Sequence, residues 1–329
     1  MGWHISIDTG GTFTDGLARD PAGAVRRTKV LSTGAIRARI LRELGVGQYE
    51  ITEQWDLPAP EVLRGFRVHS PLAVSGPETR VLSYDPERRF LQCHSPLPGL
   101  CPGDSLELFT GEEAPVVAAR LLTGTAPGEA FPPLTMRLGS TRGTNALLEQ
   151  KGARVALLVN EGLSGLLEIG TQARPELFAL AVQKPPLLYE TLVEVPGRLD
   201  AEGKEIEPLT ATAVAEVIEA VKASGCTAIA IALMHAYRNP VHEQKLVSAL
   251  RQAGYVYVSA SHEVAPAIRL LPRAQATIVN AFLAPVIETY LDGVQKGVGQ
   301  AALKVMTSAG GLVDASHFLP KDSLLSGPA

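Results

Sequence analysis

Apolar and polar residues alternate at the start of the chain. Ile5 and Ile7 are β-branched and have polar neighbours, a pattern typical of a half-buried strand. Asp8 ends this strand, and Gly10-Gly11 permits a turn that residues with a Cβ would obstruct. A second extended run begins after the turn. The pattern therefore predicts a β-hairpin whose tip is small, polar and open at the backbone.

The spacing of apolar residues changes along the rest of the chain. Residues 60–110 are rich in proline, glycine and short alternating runs, which predicts a compact β insertion. Helical and strand spacings then alternate as in βαβ units, which indicates an α/β fold with a largely parallel component. The predicted helices cover residues 112–124, 143–152, 161–170, 212–223, 241–252 and 273–296, and the predicted strands cover 134–139, 153–160, 226–234 and 255–261.

Composition narrows the class of protein. The 30 basic and 34 acidic residues are spread without long runs, so no nucleic-acid partner is predicted. The longest apolar run, 226–234, is far shorter than the roughly 20 residues that span a bilayer, so no membrane partner is predicted. Three cysteines without a CxxC pair favour a reducing cytoplasm over a disulfide framework. A charged fraction of only 19% suggests a surface covered by another domain or subunit, including a homo-oligomer.

The hairpin tip has the residue types that bind a nucleotide phosphate. Glycine lets backbone N–H groups approach phosphate oxygens closely, and the threonine hydroxyls add donors. Asp8 at the strand end supplies an oxygen ligand for Mg²⁺ or for one of its waters. The alternative is an ordinary glycine hairpin with capping threonines, but the full run DTGGTFTD is more restrictive than a lone TGG. The tip is therefore predicted to bind phosphate.

A second polar loop follows the predicted strand 134–139. The run GSTRGTN lies between a strand end and a helix start, where unpaired N–H groups and the helix dipole favour an anion. Arg142 is a candidate for bidentate contact with a carboxylate or a phosphate. The alternative is ordinary helix capping with a solvated arginine.

Other polar residues are weaker candidates. His235 and His242 flank a turn and Glu243 follows, so a general-base or metal role is conceivable, although the i, i+4 spacing of a zinc helix is absent. Capping and turn-fixing are the alternatives. Arg174 is a candidate partner for a substrate carboxylate, with a surface ion pair as the alternative. Gly310-Gly311 follows an apolar strand and either borders a ligand or forms a tight turn.

Several motifs together resemble one family. IDTGGTFTDG resembles the first phosphate loop of the hydantoinase/5-oxoprolinase family, a branch of the actin, hexokinase and heat-shock chaperone superfold. Similar motifs follow in the same order and cover most of the chain: residues 139–178, LMHAYRNPVHE, VNAFLAPVIETYL, MTSAGGLVDA and the closing SGPA. Residues 34–130 carry the least of this resemblance.

The resemblance implies an architecture. It is the first half of an actin-like ATPase (ribonuclease H-like) fold with a β-rich insertion and a βαβ subdomain. Residues 1–199 form an N-terminal domain, and residues 200–329 begin a second domain that stops before the second phosphate loop. On this reading the chain is truncated and inactive alone.

The resemblance also implies a chemistry, the ATP- and Mg²⁺-dependent opening of a cyclic amide such as 5-oxoproline or a hydantoin. Phosphorylation of the carbonyl oxygen removes amide resonance and makes the carbon attackable. A companion hydantoinase B-like subunit or domain is expected. In this picture Asp8 anchors the metal. The candidate catalytic residues are Asp8, Arg142 and His235, and the candidate substrate partners are Arg142 and Arg174. The candidate nucleotide-binding residues are Asp8, Thr9, Gly10, Gly11, Thr12, Thr14, Asp15, Ser140, Thr141, Gly310 and Gly311.

Three other functions remain open from the sequence. An ATP-dependent ketone carboxylase resembles the same family. A non-catalytic actin-like nucleotide switch would use the same loop to regulate a partner. A sugar kinase fits less well, because the similarity outside the first loop points elsewhere.

Overall fold

A computed structural model describes residues 2–71, 77–173, 178 and 186–324. The chain divides into two compact units. The first contains residues 1–142, 289–318 and 322–329, and the second contains residues 143–288 and 319–321. The closing SGPA and the candidate Arg174 lie outside the described residues.

The first unit opens with three antiparallel strands, as the alternating pattern predicts for the hairpin. Strands β1 and β2 pair in register from His4 opposite Arg19 to Thr9 opposite Thr14, so the turn at residues 10–12 forms the tip of the hairpin. The strands are β1 (Trp3–Thr9), β2 (Phe13–Arg19) and β3 (Val25–Leu31).

A closed six-stranded barrel follows. Its strands are β4 (Ala35–Gly45), β5 (Gln48–Ile51), β6 (Arg67–His69), β7 (Thr79–Asp85), β8 (Phe90–Cys93) and β9 (Ser105–Phe109), with a short 3₁₀ helix at Pro60–Leu63. The β insertion was predicted at residues 60–110, and that start is wrong because β4 already belongs to the barrel. Strand β4 pairs with β9 from Ala35 opposite Phe109 to Arg39 opposite Ser105, a pairing between distant segments that local patterns do not indicate.

A helix and a strand complete the first part of this unit. Helix α1 (Ala114–Thr123) ends at Gly124, whose φ of 75° is the left-handed conformation that glycine adopts readily. Strand β10 (Leu134–Ser140) then lies parallel to β1, with Asp8 opposite Gly139. The short helix α2 (Arg142–Leu148) begins directly after it. The predicted strand at 134–139 and the predicted helix at 112–124 are thus present.

The second unit contains a four-stranded parallel sheet. Its strand order is β12-β11-β15-β16, and the aliphatic side chains of β11 and β15 are fully buried. Continuous burial explains why these strands appear as unbroken apolar runs. The elements are β11 (Val155–Asn160), α3 (Leu166–Ile169), β12 (Thr191–Val195), β13 (Arg198–Leu199), β14 (Glu205–Glu207), α4 (Ala211–Ser224), β15 (Ala228–Ile231), α5 (Val241–Gln252), β16 (Tyr257–Ala260) and α6 (Ser261–Val264). Helix α3 is much shorter than the predicted helix at 161–170.

The long helix α7 (Leu270–Val298) belongs partly to each unit. It is long and apolar enough to cross a membrane by length and composition, but 56% of its most apolar window is buried. Core helices share this property, so it is weak support for a membrane span. The remaining elements are β17 (Ala302–Met306), β18 (Leu312–Asp314) and two 3₁₀ helices at Ala315–His317 and Pro320–Ser323.

The first unit's main sheet brings three loops to one edge. Its strand order is β18-β17-β10-β1-β2-β3, and β1, β10 and β17 are mutually parallel. The turns that follow these three strands therefore lie at the same carboxyl edge, where open α/β sheets commonly bind ligands. Helix α1 packs on one face of this sheet, because Leu122 of α1 and Ile7 of β1 both lie beside Gly16.

Candidate nucleotide-binding site

The turn between β1 and β2 leaves two backbone donors free. The Gly10 N–H donates to the Phe13 carbonyl oxygen at 2.9 Å and closes the turn. Gly11 and Thr12 are exposed, and their N–H groups make no hydrogen bond to any residue that the structure describes. Two adjacent exposed amides at a strand end form an anion-binding arrangement. The predicted backbone-open tip is therefore present.

The side chains around this turn divide between the two faces of the sheet. Asp8 and Asp15 lie directly opposite each other on β1 and β2, and both are exposed. A Cβ placed on Gly139 would lie 3.5 Å from Asp8 Oδ1, so the carboxylate leans over a position without a side chain. Lys29 Nζ lies 3.2 Å from Asp15 Oδ1 and balances one of the two charges. The open face therefore presents two carboxylates next to the free amides.

Three predicted nucleotide ligands instead face the interior. Thr9, Thr14 and Ser140 are 1%, 0% and 6% exposed, because their side chains alternate with the exposed ones along each strand. Their hydroxyls lie on the buried side of the loops, and contact between these three residues and a nucleotide stays a prediction. Their backbone groups remain at the edge.

A serine that the sequence analysis missed holds the turn. The Ser32 hydroxyl donates to the Gly10 carbonyl oxygen at 2.8 Å and lies 3.2 Å from Thr14 Oγ1. Its N–H donates to the Thr12 carbonyl oxygen at 2.9 Å. The turn is thus fixed from β3's end, while its own N–H groups at Gly11 and Thr12 stay free. No local signal marks Ser32, since it follows a strand far from the motif.

The second predicted loop contacts the first. The Thr141 N–H donates to the Thr9 carbonyl oxygen at 2.9 Å, and the Arg142 N–H donates to Ser140 Oγ at 3.2 Å. These amides are therefore engaged within the protein and are not free for an anion. The loop closes against the β1–β2 turn instead.

Arg142 forms an ion pair. Its Nη2 donates to Glu113 Oε2 at 2.9 Å, and its guanidinium carbon lies 4.2 Å from the centre of the Tyr290 ring. The alternative of a merely solvated arginine is thus wrong. Contact between Arg142 and a ligand anion stays a prediction, and such an anion would compete with Glu113.

Tyr290 of α7 connects the two loops. Its hydroxyl lies 3.0 Å from Thr9 Oγ1 and also hydrogen-bonds the Ser140 side chain. Burial raises the pKa of Tyr290 to about 12, although the hydroxyl contacts and the Arg142 charge lower it. No local pattern in the segment that contains Tyr290 indicates a role for this residue. Its contact with Thr9 joins positions 281 residues apart and exists only in the folded chain.

The third turn, at residues 307–311, is occupied by its own hydrogen bonds. The Gly310 N–H donates to the Thr307 carbonyl oxygen at 2.9 Å, and the Gly311 N–H donates to Thr307 Oγ1 at 3.3 Å. Gly310 has a φ of 78°, so the tight-turn alternative explains this glycine. Both glycines are exposed at the same sheet edge, and their contact with nucleotide stays a prediction.

His235 belongs to the second unit, whereas Asp8 and Arg142 belong to the first. Its φ of 57° is unusual for a residue with a side chain, and its carbonyl oxygen accepts the Arg238 N–H at 2.8 Å. Its Nδ1 is buried without a hydrogen-bond partner in the described part of the chain. The geometry supports the turn-fixing alternative, and the catalytic role stays a prediction.

A buried carboxylate organises the second unit near His235. Glu243 is fully buried and accepts hydrogen bonds from the Leu233 N–H, the Ser261 hydroxyl, the His262 N–H and His262 Nδ1, at 2.9, 2.6, 3.0 and 2.6 Å. Arg273, which is 1% exposed, donates from Nη2 to the Leu233 carbonyl oxygen at 2.7 Å. Burial lowers the pKa of Arg273, and the nearby Glu243 charge opposes this shift. Sequence reasoning noted Glu243 as a candidate but missed its partners.

The described part of the chain contains no cluster of metal-binding side chains. Among residues 2–71, 77–173, 178 and 186–324, no group of three or more His, Cys, Asp or Glu side chains has the geometry to hold an ion. Cys93 and Cys226 are buried, Cys101 is exposed, and all three are free thiols. His242 Nε2 lies 2.6 Å from Glu205 Oε1, so the two side chains are hydrogen-bonded.

Comparisons with known proteins agree with the motif resemblance. Two family models match this chain: the hydantoinase/oxoprolinase N-terminal region over residues 113–254 and hydantoinase/oxoprolinase over residues 273–329. 5-oxoprolinase 1 of Arabidopsis thaliana is 32% identical over 277 residues, which are 73% of this chain and 22% of that protein. The chain thus spans about a fifth of the length of this curated relative.

Two solved structures share the fold. One is the nucleotide-free structure of acetone carboxylase, from work on the mechanism of ATP-dependent acetone carboxylation. Its TM-score is 0.66 at 18% sequence identity, and the match covers 99% of this chain and 39% of the acetone carboxylase chain. The ATP-dependent caprolactamase from Pseudomonas jessenii has a TM-score of 0.59 and 23% identity, over 99% and 38%. At these identities the likeness shows a mixed α/β fold and nothing further. The two family models and the 5-oxoprolinase relative show that this chain belongs to the hydantoinase/oxoprolinase family.

Proposed function

We propose that the chain is the nucleotide-binding part of an ATP-dependent enzyme that opens a cyclic amide, of the 5-oxoprolinase or hydantoinase type. The observation that carries this proposal is the β1–β2 turn. It combines free N–H groups at Gly11 and Thr12 with the exposed Asp8 carboxylate. Family membership supports the reaction class, and the turn supports the part that this chain plays in it.

The residues of the turn have distinct roles in this proposal. The free amides hold phosphate oxygens, and Asp8 holds a divalent cation with its waters, because Mg²⁺ prefers oxygen ligands. Asp15, opposite Asp8, adds a second carboxylate that Lys29 keeps partly neutralised. When bound, Mg²⁺ would neutralise charge on the phosphates. These carboxylates on one open face fit such an ion.

The reaction proceeds through an activated amide. The terminal phosphoryl group moves from ATP to the ring carbonyl oxygen and leaves ADP. Water then adds to the carbonyl carbon, the ring C–N bond breaks, and hydrolysis releases phosphate and the open-chain acid. The protein assists this transfer by positioning the reacting groups and by neutralising the charge of the phosphates. We propose that Arg142 leaves Glu113 and binds an anionic group of the ligand, and that Arg174 binds a substrate carboxylate. His235 serves as a general base in this proposal.

The actin-like architecture and the two domains at 1–199 and 200–329 remain part of this proposal. So do a cytoplasmic location, a companion subunit or domain of the hydantoinase B type and a homo-oligomer. A ketone carboxylase is the second candidate, favoured by the structural likeness to acetone carboxylase. Phosphate release from the complete natural protein, driven by 5-oxoproline or a hydantoin in one arm and by a ketone with bicarbonate in the other, separates the two.

The binding role of Asp8 is tested by calorimetry with Mg·ATP. Asp8→Asn should weaken binding by about tenfold or more and remove its dependence on Mg²⁺, since a ligand oxygen and a charge are lost. Glu219→Gln, an exposed carboxylate on α4, is the control and should bind as the parent protein does. Equal affinity of Asp8→Asn and the parent at every Mg²⁺ concentration would contradict the proposal.

A further inference from the structure

The Tyr290 side chain contacts residues of both loops at once. The hydroxyl hydrogen-bonds Thr9 at the end of β1 and Ser140 at the end of β10. All three residues are buried, at 2%, 1% and 6% exposure. A buried hydroxyl group that loses its partner is costly, so these contacts restrict where the two strand ends sit relative to each other.

The ring of Tyr290 has a separate contact. The Arg142 guanidinium carbon lies 4.2 Å from its centre, a cation–π distance, and Arg142 is also paired with Glu113. Gly293 lies one turn farther along α7, and a Cβ placed there would come within 3.1 Å of Glu113 Cγ. Glycine at this position therefore gives the Glu113 side chain room on the helix surface. One face of α7 thus sets the positions of Arg142 and Glu113 as well.

The backbone links the same elements. The Thr141 N–H and the Thr141 hydroxyl both donate to the Thr9 carbonyl oxygen, at 2.9 and 3.3 Å. The peptide after Thr9 leads directly to the turn whose Gly11 and Thr12 amides are free. A shift of Thr9 would therefore move these donors, and displacements of about 1 Å in a positioned site cost up to about 100-fold in rate.

We propose that Tyr290 is a positioning residue for nucleotide binding, which holds the β1–β2 turn and the β10–α2 loop in one fixed arrangement. The expected change in ATP affinity rests on the proposed function, whereas the expected change in hydrogen exchange of the two loops does not. The hydroxyl positions the two strand ends, and the ring positions Arg142. These two roles are separable by substitution.

The test compares Tyr290→Phe with Tyr49→Phe. Tyr49 is also a fully buried tyrosine, and its hydroxyl accepts the Leu97 N–H at 2.8 Å inside the barrel, so it matches the loss of one buried hydroxyl. Both variants should lose stability. Only Tyr290→Phe should weaken Mg·ATP binding, by about 5- to 30-fold. It should also raise amide hydrogen exchange at Gly10, Thr141 and Arg142, whose N–H groups are hydrogen-bonded within the two loops.

The outcomes are distinct. Lower stability with unchanged exchange in both loops and unchanged nucleotide affinity would overturn the proposal and leave Tyr290 a structural residue. If the parent protein binds no nucleotide, the proposed function fails, while loop exchange still decides the positioning role. If Tyr290→Phe does not fold, Ser140→Ala removes one arm of the same bridge and should raise exchange at the hydrogen-bonded Gly10 amide. No rise there would equally overturn the proposal.

Discussion

Replacing Glu243 by glutamine should destabilise the second unit strongly. The carboxylate accepts four hydrogen bonds, two at each oxygen: the Leu233 N–H and the Ser261 hydroxyl at Oε1, and the two His262 donors at Oε2. Wherever the glutamine amide nitrogen lies, it faces one backbone N–H, of Leu233 or of His262, that has no other acceptor among the described residues. The Ser261 hydroxyl rotates and His262 changes tautomer, but a backbone N–H does neither.

The magnitude follows from these contacts. One buried unpaired N–H costs about 1–3 kcal/mol, and the remaining hydrogen bonds lose the charge assistance that makes them about twice as strong. The buried Arg273 also loses the favourable Glu243 charge, and a buried charge left uncompensated costs about 3–5 kcal/mol. Because these terms overlap, we expect a total of about 3–5 kcal/mol from Glu243→Gln.

Urea unfolding followed by circular dichroism measures this loss. Glu219→Gln is the matched control, since Glu219 pairs with Lys222 on an exposed helix face and should cost at most about 0.5 kcal/mol. A loss below about 1 kcal/mol for Glu243→Gln would refute the reasoning, because even one unpaired backbone N–H exceeds it.

Two further predictions concern thiols and packing. Burial raises the pKa of Cys93 to about 12 from 9.0. Thiol reagents at pH 8 should therefore label the exposed Cys101 quickly and Cys93 only on unfolding. Rapid labelling of Cys93 would contradict its buried position in the barrel. The pKa of Cys93 is higher in the folded than in the unfolded state, so the stability that burial of the neutral thiol contributes is complete below pH 9.0 and is lost as pH rises towards about 12. Alkaline unfolding of the parent protein, compared with that of Cys93→Ala, should show this loss. Gly152→Ala should cost at least about 2 kcal/mol in urea unfolding, because the new Cβ would lie 2.3 Å from the Phe282 ring. Gly165→Ala, whose Cβ meets only the flexible end of Ile169, is the control, and equal losses in the two variants would contradict the packing.

Local features of the fold are predictable from the sequence. The hairpin depends on alternating residues and on two glycines within a few positions, so Ile5, Ile7 and the TGG turn indicate it directly. Helix α1 ends at Gly124 as its spacing predicts, because the left-handed residue that ends it is local too. The buried strands β11 and β15 are evident from their unbroken apolar runs.

Long-range contacts are not predictable in this way. The barrel closes through Ala35 opposite Phe109, and the loops are joined through Thr9 and Tyr290. Neither pair has a local pattern, since partner choice depends on how distant segments pack. The same holds for the candidate site. Residue types near DTGGTFTD indicate phosphate chemistry, but only the structure shows that Thr9 faces the interior and that Arg142 pairs with Glu113.

A crystal structure of the protein with Mg²⁺ and a non-hydrolysable ATP analogue tests the central claim most directly. The account predicts phosphate oxygens within hydrogen-bond distance of the Gly11 and Thr12 N–H groups, with the cation or its waters at Asp8. A nucleotide bound elsewhere, with this turn unoccupied, would contradict it.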